Sequence, residues 1–447
     1  MESRVALACL RSYLGNQSVR TPTGNPCQPC LQRQKLAQTA KAFYADRVRY
    51  RLRSLVRRVA LIVAFAVALA SPSAEAAPRA NMRQMKVTGS SVTVPTNQGK
   101  AVLTLDADLQ RDVATLLRRS RAPEAAAVLI DVRTGKILAW SSVDARGRDL
   151  VSTPYGPPAS LFKVVTAASL LENSKAKRST RQCYVGGQRN VHLRDLRKSG
   201  AGGAKCAPLS TALGYSRNLV MAGLAVRFLT APKLRSMAHD LGFNGNVPID
   251  LSIRSGNCRV PSEKQKLARA AAGFGPGHLT PLEAAYMMTV IANNGARNPL
   301  DLIDYIVDSN GKHLEVPTEF SGPRRAIRTT TARQLRRMLE VTVREGTAAK
   351  AFRDRQGNRF LGRYSGAGKT GTLSGSKPRH LFSWYAGYAP ANHPQVAVAV
   401  MLANEQRWWR KGPDVARDVL RAYFARENIR GITHPIRGAT ARKNKKK

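Results

Sequence analysis

The sequence predicts an α/β protein of the α+β type: one antiparallel sheet of about five strands flanked by helices, with a mainly helical subdomain. Three observations carry this expectation. Residues 127–140 read as a β-hairpin, three strand-like runs cluster near the C-terminus, and a mainly helical region from Ser160 to about Ala292 separates them. A chain of 447 residues can devote most of its length to one such unit.

Asp106 is placed to cap a helix with Leu109, Val113, Leu116 and Leu117 on one side. The hairpin then turns through Arg133-Thr134-Gly135-Lys136. Gly156-Pro157-Pro158 breaks the chain, since Pro158 pushes the residue before it towards extended geometry. Beyond Ser160, Leu161, Phe162, Val164, Val165, Leu170 and Leu171 stand among alanines, an apolar run suited to a buried helix. Thr280-Pro281-Leu282-Glu283 is a capping box with proline at the first helical position, and Asn293-Asn294-Gly295 stops that helix. The late strands fall at about 366–373, 380–389 and Val396 to Leu402, the last apolar enough to be central. Pro413 to Phe424 reads as a final helix against the sheet.

Charge bounds the setting. The formal net charge is +45, which points to an anionic partner: nucleic acid, acidic lipid or an anionic wall polymer. Six arginines lie between Arg47 and Arg58, followed by an apolar run from Val59 to Ala70 and Ala74-Glu75-Ala76. This order reads as a secretory signal peptide over residues 48–76, with an uncleaved signal anchor as the alternative. The run is shorter than the roughly 20 residues that span a bilayer. Residues 1–47 are odd before such a segment, and translation is expected to begin near Val48. Residues 77–100 read as a linker and 429–447 as a disordered basic tail, with seven basic residues and no acidic one.

Export bears on the cysteines. Cys9, Cys27 and Cys30 precede the signal, and Cys27-Gln28-Pro29-Cys30 has no second half of a metal site. In an oxidising compartment Cys183 and Cys206 are candidates to close a disulfide, the alternative being that Cys183, Cys206 and Cys258 are three buried thiols.

Three short motifs stand in order along the chain: Ser160-Leu161-Phe162-Lys163, Ser216-Arg217-Asn218 and Lys369-Thr370-Gly371-Thr372. Singly each is weak, because Ser-x-x-Lys recurs at Ser174, Ser309 and Ser374, Ser-x-Asn at Ser255, and Lys198-Ser199-Gly200 loosely repeats the third. Context selects Ser160. It sits at a helix N-terminus, where free N–H groups and the dipole favour an oxyanion, and Lys163 lies one turn on inside an apolar helix. Ser174 falls in a polar helix end, Ser309 in a turn and Ser374 in a Gly/Ser loop. On the third motif, the period of a strand puts Thr370 and Thr372 on one face and Lys369 on the other.

Taken together these motifs resemble those of the transpeptidase domain of the penicillin-binding proteins and of the related serine β-lactamases. The resemblance extends to Leu103-Thr104-Leu105-Asp106, the 127–139 hairpin, Gly277-His278-Leu279-Thr280-Pro281-Leu282-Glu283, Arg344-Glu345-Gly346-Thr347-Ala348 and Trp384-Tyr385-Ala386-Gly387-Tyr388-Ala389-Pro390. It covers residues 101–428 and implies a β-lactamase/transpeptidase-like fold, with the site between sheet and helical region. No glycosyltransferase domain and no large N-terminal module are expected, because only residues 77–100 separate the signal from this region.

The resemblance also implies roles. Ser160 would attack a carbonyl, Lys163 would take its proton, and Ser216 would relay that proton to the leaving amine. A free lysine is charged at neutral pH, so Lys163 must be buried and crowded by Lys369 to act. Asn218 would hold the substrate amide, and Lys369, Thr370 and Thr372 its terminal carboxylate. Gly371, with Gly368, leaves the strand's backbone open to an added peptide. The N–H groups of Ser160 and Thr372 would form an oxyanion hole. The implied substrate is a peptidoglycan stem peptide ending in D-Ala-D-Ala, with β-lactams as covalent inhibitors. Arg217 is a departure at the middle of the second motif.

Other classes fit less well. A serine β-lactamase shares the motifs but needs a further base for water, and a non-catalytic wall-binding or sensor protein could share the fold. Nucleic-acid binding accounts for the charge but not for the motifs or the signal, so the anionic surface expected is a wall or membrane. No cofactor or metal is expected: no Gly-x-Ser-x-Gly, His-Glu-x-x-His or phosphate loop occurs, and the seven histidines show no ligand spacing.

Overall fold

The early hairpin and the late strands come together in one antiparallel sheet. The computed structural model describes residues 77–429 except 188–189, 198–201, 246, 317–323, 376–379 and 406–407. Residues 1–47, the signal-like segment, Cys9, Cys27, Cys30 and nearly all of the basic tail lie outside the described residues. The strands are β1 (Lys86–Thr88), β2 (Ser91–Thr96), β3 (Gly99–Leu103), β4 (Glu124–Asp131), β5 (Ile137–Asp144), β6 (Arg181–Tyr184), β7 (Leu196–Arg197), β8 (Lys205–Pro208), β9 (Ala296–Arg297), β10 (Ile303–Val307), β11 (His313–Leu314), β12 (Arg324–Arg325), β13 (Ala367–Ser374), β14 (Leu381–Ala389) and β15 (Val396–Asn404). The helices are α1 (Ala107–Arg119), α2 (Phe162–Asn173), α3 (Leu209–Gly214), α4 (Asn218–Phe228), α5 (Ala231–Asp240), α6 (Lys264–Arg269), α7 (Pro281–Ala292), α8 (Thr329–Arg344), α9 (Ala349–Phe352) and α10 (Gly412–Ile429).

The central sheet runs β13-β14-β15-β4-β5. All nine residues of β15, the middle strand, are buried. Strand alternation sorts them. Val396, Val398, Val400 and Leu402 share a core with Leu109, Val113 and Leu117 of α1 and Val415, Val419 and Leu420 of α10. Ala397, Ala399, Met401 and Ala403 join the core of the helical region instead. Their mostly small side chains let α7 lie close to the sheet, and every residue of α7 is buried. The Thr280/Glu283 capping box closes its N-terminus: Thr280 N–H donates to Glu283 Oε2 at 3.0 Å and Glu283 N–H to Thr280 Oγ1 at 3.0 Å. Helix α2 is buried through Phe162–Leu171, as an almost wholly apolar sequence requires.

The linker expected over residues 77–100 is not one. These residues fold into β1, β2 and the start of β3, which with β10 and β11 make a second five-stranded sheet, so the compact unit begins at Ala77 rather than at 101. The physical reason is a short alternation: Val92, Val94, Ala101 and Leu103 are buried against the main core. The pairing partner of β3, strand β10, lies far along the chain, where local composition gives no hint of it. Within the helical region a small sheet, β7-β6-β8, was also unforeseen. There Cys183 and Cys206 sit directly opposite each other and form a disulfide, with Cα atoms 4.0 Å apart. Cys258 is buried and free. Among the described residues no helix is long and apolar enough to cross a membrane.

Candidate active site

Three elements converge on Ser160. The chain reaches it through Pro157, Pro158 and Ala159, whose φ of 48° lies in the left-handed region that costs a non-glycine residue about 1–3 kcal/mol. Ser160 then lies in a 3-10 turn, Ala159–Leu161, that runs into α2. Gly273 closes in behind this turn at φ 93°. A Cβ at Gly273 would stand 2.1 Å from the Ala159 carbonyl oxygen and 3.0 Å from Ser160 N, so only glycine permits the approach.

One turn into the helix, Lys163 Nζ lies 2.6 Å from Ser160 Oγ. The whole Lys163 side chain is buried. Burial, and after it the charge of Lys369, holds this amine well below the usual lysine range. Ser216 approaches from the other side. It adopts φ 56° between α3 and α4, and its hydroxyl donates to Ser160 Oγ at 3.0 Å. The turn is fixed by Ser216 N–H donating to Leu213 O at 3.2 Å and Arg217 N–H to Ala212 O at 2.8 Å. Half-buried Asn218 opens α4, while Arg217 is exposed, its guanidinium 5.8 Å from the Tyr215 ring.

The third motif occupies the middle of β13, an edge strand of the central sheet. Alternation holds here: Lys369 and Gly371 are buried, Thr370 is half-buried and Thr372 is exposed. Gly371 faces the turn before Ser160, for a Cβ there would come within 3.3 Å of Ala159 Cβ. Lys369 Nζ donates to the Thr370 carbonyl at 2.9 Å, and burial brings its pKa down to about 7. Thr370 Oγ1 shares a 2.6 Å hydrogen bond with Thr347 Oγ1.

The other motif copies have ordinary structural lives. Ser174 terminates α2, its hydroxyl donating to Leu170 O at 2.6 Å. Ser309 sits in a turn whose Asp308 carboxylate accepts from the N–H groups of Asn310 and Lys312. Ser374 ends β13 rather than lying in a loop. Lys198-Ser199-Gly200 falls outside the described residues. Thus a single hydroxyl, that of Ser160, stands between a buried amine and a second hydroxyl. Such an arrangement offers a proton acceptor on one side and a proton relay on the other. Two contributors were not singled out from the sequence: Gly273, whose signal is only a glycine in an alanine run, and Thr347, carried inside the Arg344–Ala348 segment.

Comparison with known proteins places this geometry. The penicillin binding protein transpeptidase domain model matches residues 125–424. Stage V sporulation protein D of Bacillus subtilis is 27% identical over 339 residues, covering 71% of this chain and 50% of that protein. The peptidoglycan D,D-transpeptidase PbpA of Mycolicibacterium smegmatis is 30% identical over 267 residues, covering 57% of this chain and 51% of that protein. The chain therefore spans about half the length of the curated relatives it matches. Among solved structures, the D,D-transpeptidase domain of a peptidoglycan glycosyltransferase from Eggerthella lenta is similar with a TM-score of 0.58 and 26% identity, covering 74% of this chain and 84% of that one. The fold is thus transpeptidase-like, as the resemblance implied. With the family model covering the central sheet and all three motifs, the chain belongs to the penicillin-binding protein transpeptidase family.

Proposed function

We propose that the protein is a serine D,D-transpeptidase acting on peptidoglycan stem peptides that end in D-Ala-D-Ala, with Ser160 as the acylated residue. One observation carries the reading: Ser160 Oγ lies 2.6 Å from Lys163 Nζ and 3.0 Å from Ser216 Oγ. An alcohol is a poor nucleophile until a neighbour takes its proton, and Lys163 can do so because burial and Lys369 disfavour its charged form. Ser160 Oγ attacks the carbonyl of the penultimate D-alanine as Lys163 accepts the proton. The N–H groups of Ser160 and Thr372 receive the oxyanion, each such donor typically contributing about 10²–10³ in rate. Ser216 passes the proton to the leaving nitrogen, the C–N bond breaks, and D-alanine departs from an ester on Ser160.

An amine of a second stem then attacks that ester, forms the cross-link and returns the proton to Ser160. Asn218 holds the substrate amide, and Lys369, Thr370 and Thr372 hold the terminal carboxylate while the peptide lies along β13 as an added strand. Water in place of the amine would make the protein a carboxypeptidase; relatives named D,D-transpeptidases favour the amine. β-Lactams would acylate the same oxygen. The arginine-rich and apolar segment before Ala77 supports export, and the Cys183–Cys206 disulfide fits an oxidising compartment. The charge of +45 supports contact with an anionic wall or membrane surface.

Incubating the protein with a pentapeptide, with and without an amine acceptor, alongside labelling by a fluorescent penicillin, tests the reading. Acceptor-linked product and a label lost in Ser160→Ala are expected. Equal labelling of that variant, or no acyl adduct on the wild type, would overturn it, and the latter would point to a binding or sensor protein.

A further inference from the structure

A short clasp at the end of α8 ties the second motif to the third, and the reaction as described makes no use of it. Gly346 N–H donates to Val341 O at 2.8 Å, Ala348 N–H to Thr342 O at 2.9 Å, and Thr347 N–H to Gly214 O at 3.2 Å. Two glycines make the approach possible. A Cβ on Gly346 would stand 2.4 Å from Gly214 O, and one on Gly214 would stand 2.4 Å from Val341 Cγ1. Gly214 ends α3 just ahead of Ser216. At the other end of the clasp, Thr347 Oγ1 meets Thr370 Oγ1 at 2.6 Å. Thr370 is therefore held twice, at its carbonyl by Lys369 and at its hydroxyl by Thr347.

We propose that Thr347 is a positioning residue for substrate capture: its hydroxyl donates to Thr370 Oγ1 and so turns the Thr370 proton outwards, towards the carboxylate of an incoming stem peptide or β-lactam. The inference rests on the acyl-transfer reading of the site. A threonine hydroxyl has one proton and two lone pairs. When Thr347 supplies the proton of the shared bond, Thr370 keeps its own to give to an anion. Without Thr347, the Thr370 hydroxyl is free to rotate, and its proton must be oriented anew each time a carboxylate binds. Thr347 itself is exposed, so a substitution there alters the bond while leaving the core intact.

The effect belongs to capture and not to bond making. Acylation rates of the intact protein are measured against the concentration of a fluorescent penicillin, which carries the carboxylate. Thr347→Val is expected to raise the half-saturating concentration about fivefold, the worth of one net hydrogen bond. The limiting rate should stay within about twofold. Thr347→Ser keeps the hydroxyl and should behave as wild type. Adding Thr347→Val to Thr370→Val should cost nothing further, as expected for two residues acting through one contact. An unchanged half-saturating concentration in Thr347→Val, or a serine variant as impaired as the valine one, would overturn the proposal. Should the valine variant melt early, comparing Thr347→Ser with Thr347→Ala decides the matter, since both are small and only one has a hydroxyl. A wild type that takes no label, or a Ser160→Ala variant that labels equally, would remove the acyl-transfer reading and this proposal with it. A labelled wild type with an unaltered valine variant would remove only the role of Thr347.

Discussion

Two regions of this molecule bury charge in opposite ways. At the far edge of the central sheet, Asp144 on β5 grips Arg148 at 2.5 Å, with Glu124 at 3.8 Å; on α10, Asp418 is bonded by Arg417 at 2.8 Å and also by Arg410. Each charge there has its opposite. Beside Ser160, Lys163 and Lys369 are wholly buried, and among the described residues neither meets a carboxylate. The consequences run in different directions. Burial pushes the Asp144 carboxyl up, but hydrogen bonds from Arg148 more than offset it and the group stays ionised. Burial pushes both lysines towards the neutral amine, with no carboxylate among the described residues to oppose it. A paired charge stays ionised, whereas a buried amine with no counter-charge is shifted towards its neutral form.

The sharpest way to break the comparison is to remove one member of each region. Lys163→Met should lower the acylation rate by about 10³ or more, the scale of a lost proton acceptor, in a fluorescent-penicillin time course. The same variant should be more stable than wild type by about 1 kcal/mol or more, because each unit of pKa depression costs about 1.4 kcal/mol where the free lysine would be charged. Asp144→Asn should do the reverse. Acylation should persist, while urea denaturation should show a loss of about 1–2 kcal/mol from the weakened Arg148 contact. A Lys163→Met protein that is destabilised like Asp144→Asn would erase the distinction.

Proton linkage separates the regions more gently. Both lysine pKa values are lowered, Lys369 to about 7, so the unfolded chain holds more protons and stability rises with pH from about 7 towards 10.4. A Lys163→Met, Lys369→Met double variant should lose that rise when unfolding is measured across the same window. For Asp144 the sign is the same but the window is acidic: its stabilisation is present above about pH 4 and disappears as pH falls through its lowered pKa. The smallest expected effect is kinetic. The second-order acylation rate should decline as pH passes above about 7, where Lys369 loses the charge that attracts a carboxylate, and decline again in acid as Lys163 is protonated. A profile flat across pH 5 to 9 would separate these lysines from the rate.

Much of the site was legible because its chemistry restricts residue types at short spacing. Ser160 and Lys163 share a helix face whatever surrounds them, and the order of the three motifs is itself information. The central sheet was legible for a related reason: β15 is apolar throughout, and the capping box of α7 announces a helix start. What escaped was decided by distant partners. Residues 86–103 carry only a brief alternation, and their pairing with Ile303–Val307 lies beyond any local window. Thr347 is likewise an unremarked hydroxyl until the fold brings Thr370 to it. The strained Ala159 and Ser216 show the same limit, since neither residue type advertises a positive φ.

The position of β13 at the rim of its sheet bears on how such a site can be blocked. An unfinished sheet edge offers backbone donors and acceptors to any extended chain of matching length. A short unreactive strand mimic could therefore occupy the rim and shield the serine without ever bonding to it. Such an inhibitor would owe nothing to a strained ring, and an enzyme that opens such rings would have nothing in it to cleave.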